Sequence, residues 1–113
     1  MDAGYLLHLK HIAPKVSPKA VKLVDGWLRK RKELAKYKGD PLSSPERIEA
    51  ARVDLQVKLS DRAGAIVRHL KRHGADEHVA LQQLERFEGV EGAALAGMRR
   101  RLLDWIRDLE QAS

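Results

Sequence analysis

The sequence predicts an all-α protein, a five-helix bundle with one long central helix. Apolar residues recur at helical spacing in five segments, Ser-Pro, Asp or Gly residues mark most of the segment ends, and no segment alternates polar and apolar residues as a strand would. The 113 residues have the length of one domain. We therefore expect a single helical domain over residues 1–113, with a basic N-terminal helical arm at residues 1–38 and a helical core at residues 44–113.

The first two predicted helices make up the basic arm. Residues 3–13 carry apolar side chains roughly on one side and form a short helical segment. Ser17 and Pro18 provide the N-cap and first-turn proline of a second helix, which we expect to run to Lys38. Its apolar side chains occupy one wide arc and its cations the opposite arc. Trp27 falls within the apolar arc, so we predict that it lies in the core.

The long central helix is predicted to span residues 44–73. Ser44 is suited to the N-cap, Pro45 to the first turn and Gly74 to the stop. Apolar residues repeat at an interval of eleven, which keeps one stripe in register along a nearly straight helix. A second, weaker strip lies on another side, so we expect neighbours on two sides. The main stripe contains Ile48, Leu55, Leu59, Ile66 and Leu70, and the second strip contains Val53, Val57, Gly64 and Val67.

Two further helices complete the predicted bundle. Asp76 is suited to cap a helix over residues 77–87, which Gly89 ends. The last helix is predicted over residues 91–110, because its apolar residues form a narrow stripe at helical spacing.

The composition excludes several functional classes. Since the chain contains no Cys, disulfides, thiolate catalysis and cysteine-ligated metal sites are excluded. The absence of Cys and Asn beside abundant charged residues is typical of thermostable proteins. The sequence shows neither a secretion signal nor an apolar run of about eighteen residues, so we expect a cytoplasmic or intraparticle location and no membrane partner.

The positive charge is concentrated in the first third of the chain. Residues 1–38 hold ten Lys or Arg against three Asp or Glu, a net charge of +7, whereas residues 39–113 have a net charge of −1. A basic helical arm on a balanced core suits a polyanion, because each phosphate that a cation neutralises releases a counterion. We therefore predict nucleic-acid binding through phosphates. The predicted contact residues are Lys19, Lys22, Arg29, Lys30, Lys32, Lys36, Tyr37 and Lys38.

Other interpretations of the basic face stay open. A run of charge on a helix is equally consistent with an ordinary solvated surface. Tyr37 is the candidate ring for stacking on a base, and Arg99–Arg101 in the last helix either extend the basic surface or pair with nearby carboxylates. A membrane-surface helix is a further alternative, which requires the apolar arc to be free.

The histidines provide two weaker patterns. His69 and His73 are four residues apart, and His8 and His11 are three apart, so each pair shares one helical face. Neither pair has a third ligand at a recognisable spacing, and we predict neither a metal nor a cofactor.

Arg68 to His73, RHLKRH, resembles the R-x4-H motif of HEPN-type ribonucleases, small all-α proteins that often dimerise. The resemblance implies RNA cleavage at a dimer interface by Arg68 and His73. On a continuous helix these two side chains point about 140° apart, so the helix would have to break between them.

These observations favour a non-enzymatic nucleic-acid-binding protein. We expect sequence-independent contacts with DNA or RNA and a homo-oligomer that serves as a structural subunit of a nucleoprotein assembly. The alternatives are a HEPN-like ribonuclease or toxin that uses Arg68 and His73, and a protein–protein adaptor whose basic helix docks an acidic partner.

Overall fold

A computed structural model describes residues 15–112, which form four α-helices and no strand. The helices are α1 (Pro18–Lys36), α2 (Pro45–Arg72), α3 (Glu77–Glu85) and α4 (Ala93–Ala112). The all-α prediction is confirmed. The five-helix count is not, because the described residues contain four helices and the segment predicted at residues 3–13 lies outside them.

Three predicted N-caps begin the helices as expected. The side chains of Ser17, Ser44 and Asp76 each accept a hydrogen bond from a backbone N–H in the first turn of α1, α2 and α3. These bonds satisfy amide groups that have no partner inside the helix. The predicted stop at Gly74 is also confirmed, since its φ of 91° is a left-handed conformation that glycine adopts without a steric penalty.

The helix ends differ from the prediction by at most two residues, and α4 lies at Ala93–Ala112 rather than at 91–110. Helix α1 ends at Lys36 rather than Lys38, because Tyr37 is extended with φ −69° and ψ 125° and the chain then turns at Gly39. Helix α3 is shorter than predicted, since hydrogen-bonded turns replace it after Glu85.

Helices α1 and α2 form an antiparallel hairpin, and α4 runs antiparallel to α1. The order of contacts establishes the second relation: the start of α1 at Ser17 meets Glu110, whereas its middle at Asp25 meets Arg99. The short α3 follows the α2 end of the hairpin and leads to Phe87, whose ring packs edge-on against Trp27 at a centroid distance of 5.1 Å.

The core lies at the end of the hairpin away from the α1–α2 turn, where all four helices meet, and we call this the closed end of the bundle. Trp27 is buried there, which confirms its predicted place in the core. The buried apolar residues are Ala20, Val24, Trp27, Ile66, Val67, Leu70, Ala80, Leu84, Phe87, Leu102, Leu103 and Ile106.

Only the last two turns of helix α2 contain buried residues. Its buried residues lie between Ile66 and Leu70. In its first half, Val53 and Val57 of the second predicted strip are 45% and 53% exposed, and Leu42 in the preceding turn is 94% exposed. The expected contacts on two sides are therefore limited to the C-terminal part of α2, because α3 has nine residues and spans only about 14 Å. Within residues 15–112, no helix is long and apolar enough to cross a bilayer.

Candidate nucleic-acid interface

Four exposed cations form a line on the outer side of α1. Lys22, Arg29 and Lys36 follow one another at intervals of seven residues, and Lys32 lies beside them. Seven residues are almost two helical turns, so the three side chains leave the helix in nearly the same direction at spacings of about 10.5 Å. We call these four residues the basic strip.

The carboxylates of α1 are both held by cations outside the basic strip. Asp25 accepts two hydrogen bonds from Arg99 of α4, at 2.7 and 3.1 Å, and this pairing raises the pKa of Arg99. Glu33 accepts a hydrogen bond from Lys30 at 2.9 Å, and that bond lowers the pKa of Glu33. None of the four strip cations forms an ion pair with another residue of the described range 15–112.

The other predicted contact residues occupy different positions. Lys19 and Lys38 are exposed, whereas Lys30 is half-buried and paired with Glu33. Lys30 is set apart from the strip by its pair with Glu33, and Lys38 lies beyond the end of α1.

Tyr37 is half-buried, and its hydroxyl donates a hydrogen bond to the carbonyl of Ile48 at 3.0 Å. Its hydroxyl therefore helps to join the end of α1 to the start of α2. Only the exposed part of its ring remains accessible for the predicted stacking.

A groove of about 820 Å³ runs beside the basic strip. It lies between α1, the loop at residues 89–92 and the start of α4. Three cations of the strip line it together with Asp25, Glu91 and apolar side chains, so the groove combines charges of both signs with apolar surface. Its lining includes Arg29, Lys32, Lys36, Leu28, Val90 and Leu95.

Arg31, which also lines this groove, has a structural role. Its guanidinium donates a hydrogen bond to the carbonyl of Phe87 and lies 5.4 Å from the centre of the Trp27 ring. Burial lowers the pKa of Arg31. Because the guanidinium is used to join α1 to the segment after α3, Arg31 is not counted in the basic strip.

A second polar cluster lies at the opposite end of α1. Glu110 of α4 accepts hydrogen bonds from the backbone N–H of Ser17 at 2.9 Å and from its hydroxyl at 2.5 Å, and its Oε2 lies 2.8 Å from His69 Nε2. Burial acts to raise the pKa of Glu110, but the hydrogen bonds from Ser17 and the His69 contact outweigh it and lower that pKa. His73 lies beside His69, with ring centroids 4.8 Å apart.

Helix α2 has no break between the two residues of the R-x4-H motif. Helix α2 continues without interruption through Arg72, and His73 is its C-cap. Arg68 is exposed, whereas His73 contacts the ring of His69 and lies near Glu110. The two residues of the motif therefore do not converge on one site.

Comparison of the chain with protein-family models, curated proteins and solved structures found no match.

Proposed function

We propose that this protein binds nucleic acid through the basic strip, and that it contacts phosphates without reading the base sequence. The observation that supports the proposal is the engagement of both α1 carboxylates by Arg99 and Lys30. Four exposed cations thus lie in line over about 21 Å of helix and form no ion pair within the described residues, although Arg29, after Lys30, also acts to lower the pKa of Glu33. Such a line is suited to a row of phosphates, since each contact releases condensed counterions.

Two observations separate this proposal from its alternatives. Ala20, Val24 and Trp27 bury the apolar face of α1 in the core, so α1 has little apolar surface with which to enter a lipid bilayer. The unbroken α2 keeps Arg68 and His73 apart, so catalysis by that pair is not proposed.

Fluorescence anisotropy of labelled DNA and RNA, in single and double strands, tests the proposal over a range of salt concentrations. Four phosphate contacts predict a slope of roughly −3.6 for log affinity against log salt on duplex DNA, and roughly −2.8 on a single strand. Affinity that does not change with salt would exclude binding through phosphates.

Two matched variants locate the contact surface. Replacement of Lys22, Arg29, Lys32 and Lys36 by Gln removes the strip. The control replaces four exposed arginines elsewhere by Gln, with the same change in net charge. We expect the strip variant to lose nearly all salt-dependent affinity and the control to retain most of it. Equal losses would mean that net charge, rather than the strip, determines binding. The control positions are Arg47, Arg72, Arg86 and Arg101.

We further propose that the protein forms a homo-oligomer within a nucleoprotein assembly, in the cytoplasm or inside a particle, and that it is thermostable. The exposed apolar side chains of Val53 and Val57, four residues apart on one face of the first half of α2, support self-association, as does Leu42 in the preceding turn, because no other described element covers them. Light scattering coupled to gel filtration tests this directly. A monomeric mass at all concentrations, with and without nucleic acid, would contradict it.

A further inference from the structure

His69 is the single buried polar side chain in the core of the described residues, with 6% of its surface exposed. Measured on side chains alone, His69 is 8% exposed and Glu110 beside it is 9% exposed. Buried polar groups are retained only where they are hydrogen-bonded, and this pair satisfies that condition at 2.8 Å. These groups form a polar cluster where the start of α1 meets the C-terminal ends of α2 and α4.

The cluster has the donor types of a transition-metal site, and its candidate ligand atoms lie close together. One ligand-type atom from each of His69, His73 and Glu110 can be chosen so that all three lie within 4.8 Å of one another. In a tetrahedral zinc site the metal–ligand bonds are about 2.0–2.1 Å, which places ligand atoms roughly 3.4 Å apart. The 2.8 Å contact between His69 Nε2 and Glu110 Oε2 is a hydrogen bond, which a bound ion would replace by moving the two atoms about 0.6 Å farther apart.

The surroundings of Glu110 provide the support that metal ligands commonly have. Ser17 donates hydrogen bonds from its backbone N–H to Oε1 and from its hydroxyl to Oε2, at 2.9 and 2.5 Å. These bonds fix the plane of the carboxylate before any ion arrives. Outer groups that orient a ligand in this way change metal affinity by about 10- to 100-fold.

We propose that His69, His73 and Glu110 bind a divalent transition metal of the Zn²⁺ class. Two imidazoles and one carboxylate favour Zn²⁺, Cu²⁺ or Ni²⁺ over Ca²⁺ and Mg²⁺, which take oxygen ligands. Water is expected to fill the fourth position. The bound ion joins the end of α2 to the end of α4, next to the start of α1. No residue of the basic strip takes part, so this site does not depend on the proposed nucleic-acid function.

Titration calorimetry of the full-length protein with Zn²⁺, after chelator treatment and dialysis, tests the site. We expect one ion per chain and a Co²⁺ complex with the visible absorption of a tetrahedral site. Zn²⁺ at 100 times its Kd should raise Tm by about 10 °C or more, because it binds the folded state alone. Failure to bind one ion per chain would overturn the proposal.

Substitutions assign the ligands. His73→Ala and Glu110→Gln should each weaken Zn²⁺ affinity by more than about 100-fold, and Ser17→Ala should weaken it by about 10-fold. His73 is at the end of α2 and only half-buried, so His73→Ala is the variant best able to remain folded, as circular dichroism would verify.

His78→Ala is the matched control, because His78 is exposed and contacts Gln82 rather than the cluster. Its affinity for Zn²⁺ should stay within about threefold of wild type, as expected for a histidine outside the ligand set. If folded His73→Ala and Glu110→Gln proteins bind as tightly as wild type, or if His78→Ala abolishes binding, the assignment is wrong.

Discussion

Ser17→Ala should destabilise the protein by about 3 kcal/mol, because the Ser17 side chain makes two different stabilising contacts. As the N-cap of α1 it accepts a hydrogen bond from the Ala20 N–H at 3.2 Å, and such caps contribute about 1 kcal/mol. Its hydroxyl also donates to the carboxylate of Glu110, a charge-assisted bond in a largely buried position that contributes about 2 kcal/mol.

Ser44→Ala provides a matched comparison. Ser44 is also an N-cap followed by proline, and it accepts a hydrogen bond from the Arg47 N–H at 3.3 Å, but it is exposed and contacts no distant carboxylate among residues 15–112. Its replacement should cost about 1 kcal/mol. The difference between the two variants therefore measures the long-range contact alone.

Urea denaturation followed by circular dichroism gives both free energies of unfolding, provided that the m-values stay equal. A double-mutant cycle of Ser17→Ala with Glu110→Gln should show a coupling energy of about 1–2 kcal/mol. If the two serine variants lose the same stability, the Ser17–Glu110 contact contributes nothing and the reasoning fails.

Asp25→Asn should change the free energy of unfolding by no more than about 1 kcal/mol, because its ion pair with Arg99 is more than one-third exposed. It should also strengthen nucleic-acid binding and steepen the slope of log affinity against log salt by about 0.9, because the released Arg99 adds a fifth cation to the surface. Weaker binding in anisotropy titrations would contradict this. Phe87→Ala should cost about 3–5 kcal/mol by urea denaturation, because its ring is fully buried against Trp27, and a loss under 1 kcal/mol would show that this packing is absent. Gly39→Ala should lower Tm more than Gly89→Ala. Both glycines have positive φ, where an alanine costs about 1–2 kcal/mol. Only at position 39 would the new Cβ also clash with a neighbouring side chain, that of Ile48 at 2.6 Å. Equal losses at the two positions would mean that the steric contact is relieved.

Features that depend on local sequence could be predicted. Ser17, Ser44 and Asp76 are followed by residues suited to a first helical turn, so the N-caps follow from interactions within three residues. The outward position of Lys22, Arg29, Lys32 and Lys36 follows likewise from helical periodicity.

Features that depend on how the helices pair could not be predicted. Ser17 and Glu110 are 93 residues apart, and no periodic pattern states which helix ends meet. For the same reason the His69 and His73 pair lacked a third ligand in the sequence, although Glu110 lies beside it in the structure. Val53 is exposed because the nine-residue α3 is too short to cover the first half of α2, and the length of α3 relative to α2 decides this only in the folded structure.

The uneven burial of α2 gives this helix two different local stabilities. Its C-terminal turns bury Ile66, Val67 and Leu70 in the core, whereas within residues 15–112 the turns near Pro45 contact only the end of α1 and the turn after it, through Ile48. Amide protons near Val53 should therefore exchange with solvent through local fraying, while those near Leu70 should exchange only when the whole bundle opens. We therefore expect the first half of α2 to open locally while the helices around the core stay folded.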